Sequence, residues 1–124
     1  MRDGKYVILT IDDDPDYLEA IRTILVSNGY LVEQARSAEE GLRVAAKTEP
    51  DLILLDLMME EIDAGTSFVN DVRGLGLKVP IYMLSSVGDQ LDSSTSYASL
   101  GLAGVFQKPL DPPVLLRVLK EKLK

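Results

Sequence analysis

Four apolar runs in this chain stop at residues able to do chemistry. Tyr6 to Ile11 stops at Asp12-Asp13-Asp14, and Pro50 to Leu55 at Asp56; Val79 to Leu84 stops at Ser85, and Val105-Phe106-Gln107 at Lys108. If these ends share one edge, three carboxylates, Asp12, Asp13 and Asp56, meet and repel, a conflict that a hard divalent cation resolves. Mg²⁺ suits such a place, since it takes one or two carboxylates, waters and a phosphate oxygen and needs no all-protein cage. A lysine and a hydroxyl beside it complete a phosphoryl site. Lys108 can balance the charge of a transferred phosphoryl group and Ser85 can donate to one of its oxygens, while Asp56 can attack phosphorus as a carboxylate nucleophile.

Each residue alone has a plainer reading. Asp12 to Asp14 can be a helix cap with solvated neighbours, Asp56 a solvated strand end, Ser85 a turn residue, and Lys108 an edge lysine lying along apolar surface. Their shared position at the ends of successive strands is what argues for a site.

Composition removes many other chemistries. The 124 residues suit one domain, 1–124, that buries roughly two-thirds of the surface of its unfolded chain. A net charge of -7 argues against a nucleic-acid surface, which needs a basic stripe. There is no cysteine, hence no disulfide, thiolate nucleophile or zinc-thiolate site, and the chain is compatible with a reducing cytosol. There is no histidine, which excludes histidine acid/base catalysis, the usual serine triad and a phosphohistidine carrier. Met1 to Lys5 leads straight into the first apolar run, so neither a signal peptide nor a membrane span is expected and the protein reads as cytoplasmic.

The elements that must position these residues alternate along the chain. Pro50 to Asp56 is a near-continuous apolar run, too short for an ordinary helix, and reads as a central strand buried on both faces. Tyr6 to Ile11 is a strand; Asp14 caps the helix after it, with Pro15 at the first position and Leu18, Ile21 and Leu25 inward until Asn28-Gly29. Tyr30 to Ala35, with Glu33 and Gln34 among apolar residues, reads as an edge strand. Ser37 with Glu40 forms a capping box for a helix carrying Leu42, Ala45 and Ala46, ended by Glu49-Pro50. Leu57 to Gly65 reads as a loop. A helix with Phe68, Val69 and Val72 inward follows, closed by Gly74 and Gly76, then the strand Val79 to Leu84. Gln90 to Leu100, rich in Ser and Thr, predicts a weak helix. Val105 to Gln107 is a short strand, and Asp111-Pro112 caps a last helix carrying Leu115, Leu116, Leu119 and Leu123.

Five alternations imply right-handed crossovers and a parallel sheet covered on both faces. The expected architecture is a flavodoxin-like (βα)5 doubly wound sheet of order 2-1-3-4-5, whose switch point separates the first and third strands. Those strands end in aspartates.

The chain resembles a receiver domain of a two-component response regulator over its whole length. The likeness rests on Ile11-Asp12-Asp13-Asp14-Pro15, Pro50 to Met59, Pro80 to Ser86 and Phe106-Gln107-Lys108-Pro109. It implies that Asp56 accepts a phosphoryl group from a phosphohistidine of a sensor histidine kinase or phosphotransfer protein. It also implies that Asp12, Asp13, Asp56 and the Met58 backbone carbonyl surround Mg²⁺, with Ser85 in the family's hydroxyl role and Lys108 in that of its phosphate-binding lysine. Ser86 leaves the site open. An output domain or partner protein would read the phosphorylated state through a switched binding face, and phosphorylation would favour a homodimer; neither nucleic acid nor membrane is contacted directly, and enzyme activity stops at self-phosphorylation and self-dephosphorylation.

Two departures stand beside the matches. After the acceptor the family commonly carries a Pro-Gly pair, where this chain has Glu60-Glu61 and one extra residue in Asp63-Ala64-Gly65. The family's switch aromatic corresponds to Val105, while Phe106 falls on the other side of its strand, which makes the Gln90 to Leu100 segment the better moving element. They keep open a receiver-like domain used only for protein binding. A phosphatase using Asp12-x-Asp14 is a third reading, weakened by Pro15 and Asp16 and by a length with no room for a cap domain.

Overall fold

The computed structural model describes residues 3–56, 62–85, 102–107 and 111–123. In chain order these form β1 (Val7–Asp12), α1 (Pro15–Ser27), β2 (Leu31–Ala35), α2 (Ala38–Thr48), β3 (Leu52–Asp56), α3 (Ile62–Gly74), β4 (Ile81–Ser85), β5 (Gly104–Gln107) and α4 (Pro112–Lys122). All described strand pairs are parallel, and the sheet runs β2-β1-β3-β4-β5. This is a parallel α/β sandwich of flavodoxin-like type. The segment Gln90 to Leu100 lies outside the described residues, so the helix expected there is not placed.

Alternation along the strands sorts the core into two layers. Leu9, Ile11, Ile53, Leu55, Ile81 and Met83 face α2 and α3, where Ala45, Phe68, Val69 and Val72 meet them. Ile8, Leu52, Leu54, Tyr82, Leu84 and Phe106 face α1 and α4, packing with Ile21, Leu25, Leu115 and Leu119. Every residue of β1 and β3 is buried, as strands covered on both faces require, while β2 is half-buried until Ala35. Asp51 aligns the two central strands at their start: its amide donates to Val7 O at 2.7 Å and its Oδ2 accepts from Val7 N at 2.8 Å.

Most expected boundaries hold, and the differences have local causes. Asp14 caps α1 by accepting from Asp16 N, with Pro15 at the first position. Ser37 caps α2 as anticipated, but the second arm of the box is displaced: Glu40 Oε1 accepts from Arg36 N at 2.7 Å rather than from Ser37. Ala46 is exposed; the helix turns Gly41 inward instead, where a side chain would collide with Ile11. α3 begins at Ile62, so Asp63-Ala64-Gly65 belongs to its first turns and not to a loop. β4 begins at Ile81 because Pro80 has no amide for the ladder; its carbonyl accepts from Ile53 N at 3.0 Å. Asp111 stands at the cap position of α4 but makes no side-chain cap bond.

Candidate functional site

β1 and β3 are neighbours at the centre of the sheet, and their register pairs Asp12 with Asp56. Paired residues on adjacent parallel strands point to the same face about 4.8 Å apart. Asp12 is 3% exposed and Asp56 6%. Two carboxylates this close and this buried are expensive as bare charges: at an effective dielectric of 20 their mutual repulsion is about 3 kcal/mol. Such a pair is kept for a cation or for chemistry.

The turn after β1 shares the work between oxygens. Asp12 Oδ1 accepts from Asp14 N at 2.9 Å, and Asp14 Oδ1 accepts from Asp16 N at 2.9 Å, so two successive Asx turns lead the chain into α1. Asp12 Oδ2 and Asp56 Oδ2 are both shut off from solvent. Asp13, between the two turn acceptors, is exposed. The three aspartates are thus not equivalent: two are buried in register and one stands at the mouth.

Ser85 ends β4 on the other flank of β3. Leu55 pairs with Met83, which sets Ser85 one residue beyond the level of Asp56 at the same edge, and Ser85 itself pairs with Gln107 of β5. Lys108, the residue after Gln107, and Met58 lie outside the described residues. The described part of the edge therefore brings together Asp12, Asp13, Asp56 and the backbone of Ser85.

These donors fit a hard divalent ion. Among the described residues no group of three or more carboxylates is gathered tightly enough to hold a metal by itself. Mg²⁺ does not ask for one, since two carboxylate oxygens with waters and a phosphate oxygen satisfy its octahedron. The Asp-x-Asp phosphatase arrangement fits less well, because Asp14 is exposed and engaged as the cap of α1.

Arg36 was not anticipated at this edge. It follows β2, and its Nη2 donates to Asp13 O at 3.4 Å across 23 residues of sequence. Only the register could have signalled it: Ala35 pairs with Ile11, so Arg36 leaves its strand beside Asp12. A cavity of about 490 Å³ lined by Glu33, Val44, Lys47 and Thr48 lies against α2, away from the aspartates.

Known proteins align with this geometry. The response regulator receiver domain family matches residues 8–120. The chain is similar to the response regulator MprA of Mycobacterium tuberculosis, 32% identical over 117 residues that cover 94% of this chain and 50% of MprA. It is also similar to the transcriptional regulatory protein GlrR of Escherichia coli, 30% identical over 116 residues covering 94% of this chain and 26% of GlrR. The chain thus spans a quarter to a half of these relatives. Among solved structures, the chemotaxis protein CheY4 of Vibrio cholerae superposes with a TM-score of 0.83 at 29% identity, covering 97% of this chain and 100% of that one. A response regulator structure from Chloroflexus aurantiacus gives a TM-score of 0.82 at 30% identity, covering 97% and 98%. Among the described residues, no helix is long and apolar enough to cross a membrane.

Proposed function

The chain belongs to the response regulator receiver domain family, phospho-accepting modules of two-component signal transduction, and on that premise we propose that Asp56 is its phosphoacceptor. The pairing of Asp12 with Asp56, both buried at the carboxyl edge where the chain switches direction between β1 and β3, carries this reading. The donor is a phosphohistidine on a sensor histidine kinase or phosphotransfer protein. An Asp56 carboxylate oxygen forms a bond to phosphorus as the P–N bond breaks, and the electron pair returns to the imidazole. Phosphoryl transfer asks a protein mainly for position and charge. Burial among β1 and β3 holds the nucleophile still, the Ser85 hydroxyl donates to a phosphoryl oxygen, and the Lys108 ammonium balances its charge.

Asp12, Asp13, Asp56 and the Met58 carbonyl are the groups that would hold Mg²⁺. When bound, the ion neutralises part of the charge that gathers on the phosphoryl oxygens. The same groups allow slow self-phosphorylation from small donors and self-dephosphorylation, and no other turnover. We read residues 1–124 as a single (βα)5 receiver domain working in the cytoplasm, where ATP-dependent kinases draw their phosphate. Its output is a partner protein or domain that recognises the phosphorylated form, and a phosphorylated homodimer is one such output.

Incubation with acetyl phosphate and MgCl2, followed by intact mass measurement, tests the assignment. A phosphate adduct is expected, absent without the metal and absent in Asp56→Asn. An adduct that persists in Asp56→Asn, or its failure to form in the unaltered chain, overturns it.

A further inference from the structure

The strand register carries a third charged residue into the row formed by Asp12 and Asp56. Ile11 pairs with Ala35, and the next residues on the two strands are Asp12 and Arg36; Asp12 in turn pairs with Asp56. At this level Arg36 reaches across to the turn after β1, donating from Nη2 to the Asp13 carbonyl at 3.4 Å. Its own backbone is anchored, since Arg36 N donates to Glu40 Oε1 at 2.7 Å and Glu40 N donates to Ser37 Oγ at 3.1 Å. On the far side the turn is braced by Asp12 Oδ1 and Asp14 Oδ1. Two braced turns are thus bridged by one side chain.

We propose that Arg36 is a positioning residue for the carboxylate cluster, fixing the Asp13 main chain so that Asp12, Asp13 and Asp56 present their oxygens at the spacing a divalent cation needs. The proposal rests on the metal site of the preceding reading. Asp13 needs the help most, because it is exposed and its side chain is not held by the packing that fixes Asp12 and Asp56. Two roles for Arg36 predict opposite signs. A guanidinium acting by charge alone repels an incoming cation, so its removal would tighten Mg²⁺ binding. A tether orients the ligands, so its removal weakens binding.

Titration calorimetry with MgCl2 on the unaltered chain, Arg36→Ala and Arg36→Lys separates them. The expected result is a Kd raised about tenfold in Arg36→Ala, the low end for loss of a group that orients a metal ligand. Arg36→Lys, which keeps a donor, should lie within about threefold of the unaltered chain by the same reasoning. Thermal midpoints measured without metal should agree among the three, since Arg36 is exposed. Glu40→Ala, which releases the Arg36 backbone, should add little to Arg36→Ala, because both act through one turn. An Arg36→Ala Kd that is unchanged or lower overturns the proposal, as does an equal loss in Arg36→Lys accompanied by a lower metal-free midpoint. If the unaltered chain binds no Mg²⁺, the metal site itself fails and this inference falls with it, an outcome distinct from a site that binds but ignores Arg36.

Discussion

At the scale of single residues, Asp12 has two duties that compete. One oxygen holds the turn into α1 and the other is buried at the level of Asp56. Asp12→Asn keeps an oxygen for the Asp14 amide while removing the charge, so it should fold and lose its response to metal. For the unaltered chain, Mg²⁺ at a hundredfold excess over its Kd should stabilise the fold by about 2.7 kcal/mol, and Asp12→Asn should show almost none of this in urea denaturation. Gly41 is the second telling residue. A Cβ there would stand 2.9 Å from Ile11 Cγ1 and nearer still to its Cδ1, and Ile11 precedes Asp12 in a fully buried strand. Gly41→Ala gains about 1 kcal/mol of helix propensity but overpacks at a cost of about 1–3 kcal/mol. A lower urea midpoint is expected; a higher one would mean that α2 can move away from the sheet.

At the scale of elements, the caps distinguish what a residue type permits from what its geometry delivers. Ser37 and Asp111 are both good N-cap residues, yet only Ser37 makes the side-chain bond. Ser37→Ala should cost about 1 kcal/mol of stability and Asp111→Ala only a few tenths, measured side by side in urea. The strand pair β4 and β5 shows the same contrast. Its period-two pattern sends Phe106 to the α1 and α4 side, where it stacks on Tyr82 at 5.2 Å between ring centroids and packs in the layer of Leu115 and Leu119. That Phe106 faces away from the side of Val105 was legible in the sequence; its partners were not. Nor was Gly104, where a Cβ would come within 2.7 Å of the Tyr82 ring, a constraint that exists only once β5 lies against β4.

At the scale of the whole molecule, the charge and the pairing of strands govern behaviour. Ten of the chain's twenty acidic residues fall within 12–19 and 56–71, in the segments that begin at the carboxyl ends of β1 and β3, so metal binding should weaken visibly as salt rises. At high pH a different group matters. Burial, aided by the nearby Tyr6, raises the Tyr30 phenol above its ordinary value of 10.0. A raised acid favours the neutral form in the folded state, so its stabilising effect is complete below pH 10 and is lost as pH climbs through the higher folded value. Thermal midpoints above pH 10 should therefore fall more steeply in the unaltered chain than in Tyr30→Phe, and equal slopes would remove Tyr30 from the account.

The sequence by itself determined the alternation of strands and helices, the residues that face inward and the strand ends at which aspartates stand, because these follow from local periodicity and from where an apolar run gives way to charge. It also showed in advance that Asp14 and Ser37 begin helices, since capping is settled within four residues. Only the tertiary structure decided that Asp12 and Asp56 stand in register while Asp13 turns outward, that Gly41 rather than Ala46 meets the sheet, and that Arg36 reaches the turn after β1. These depend on how far strands distant in sequence slide past one another, and that register is set by packing both faces of the sheet together.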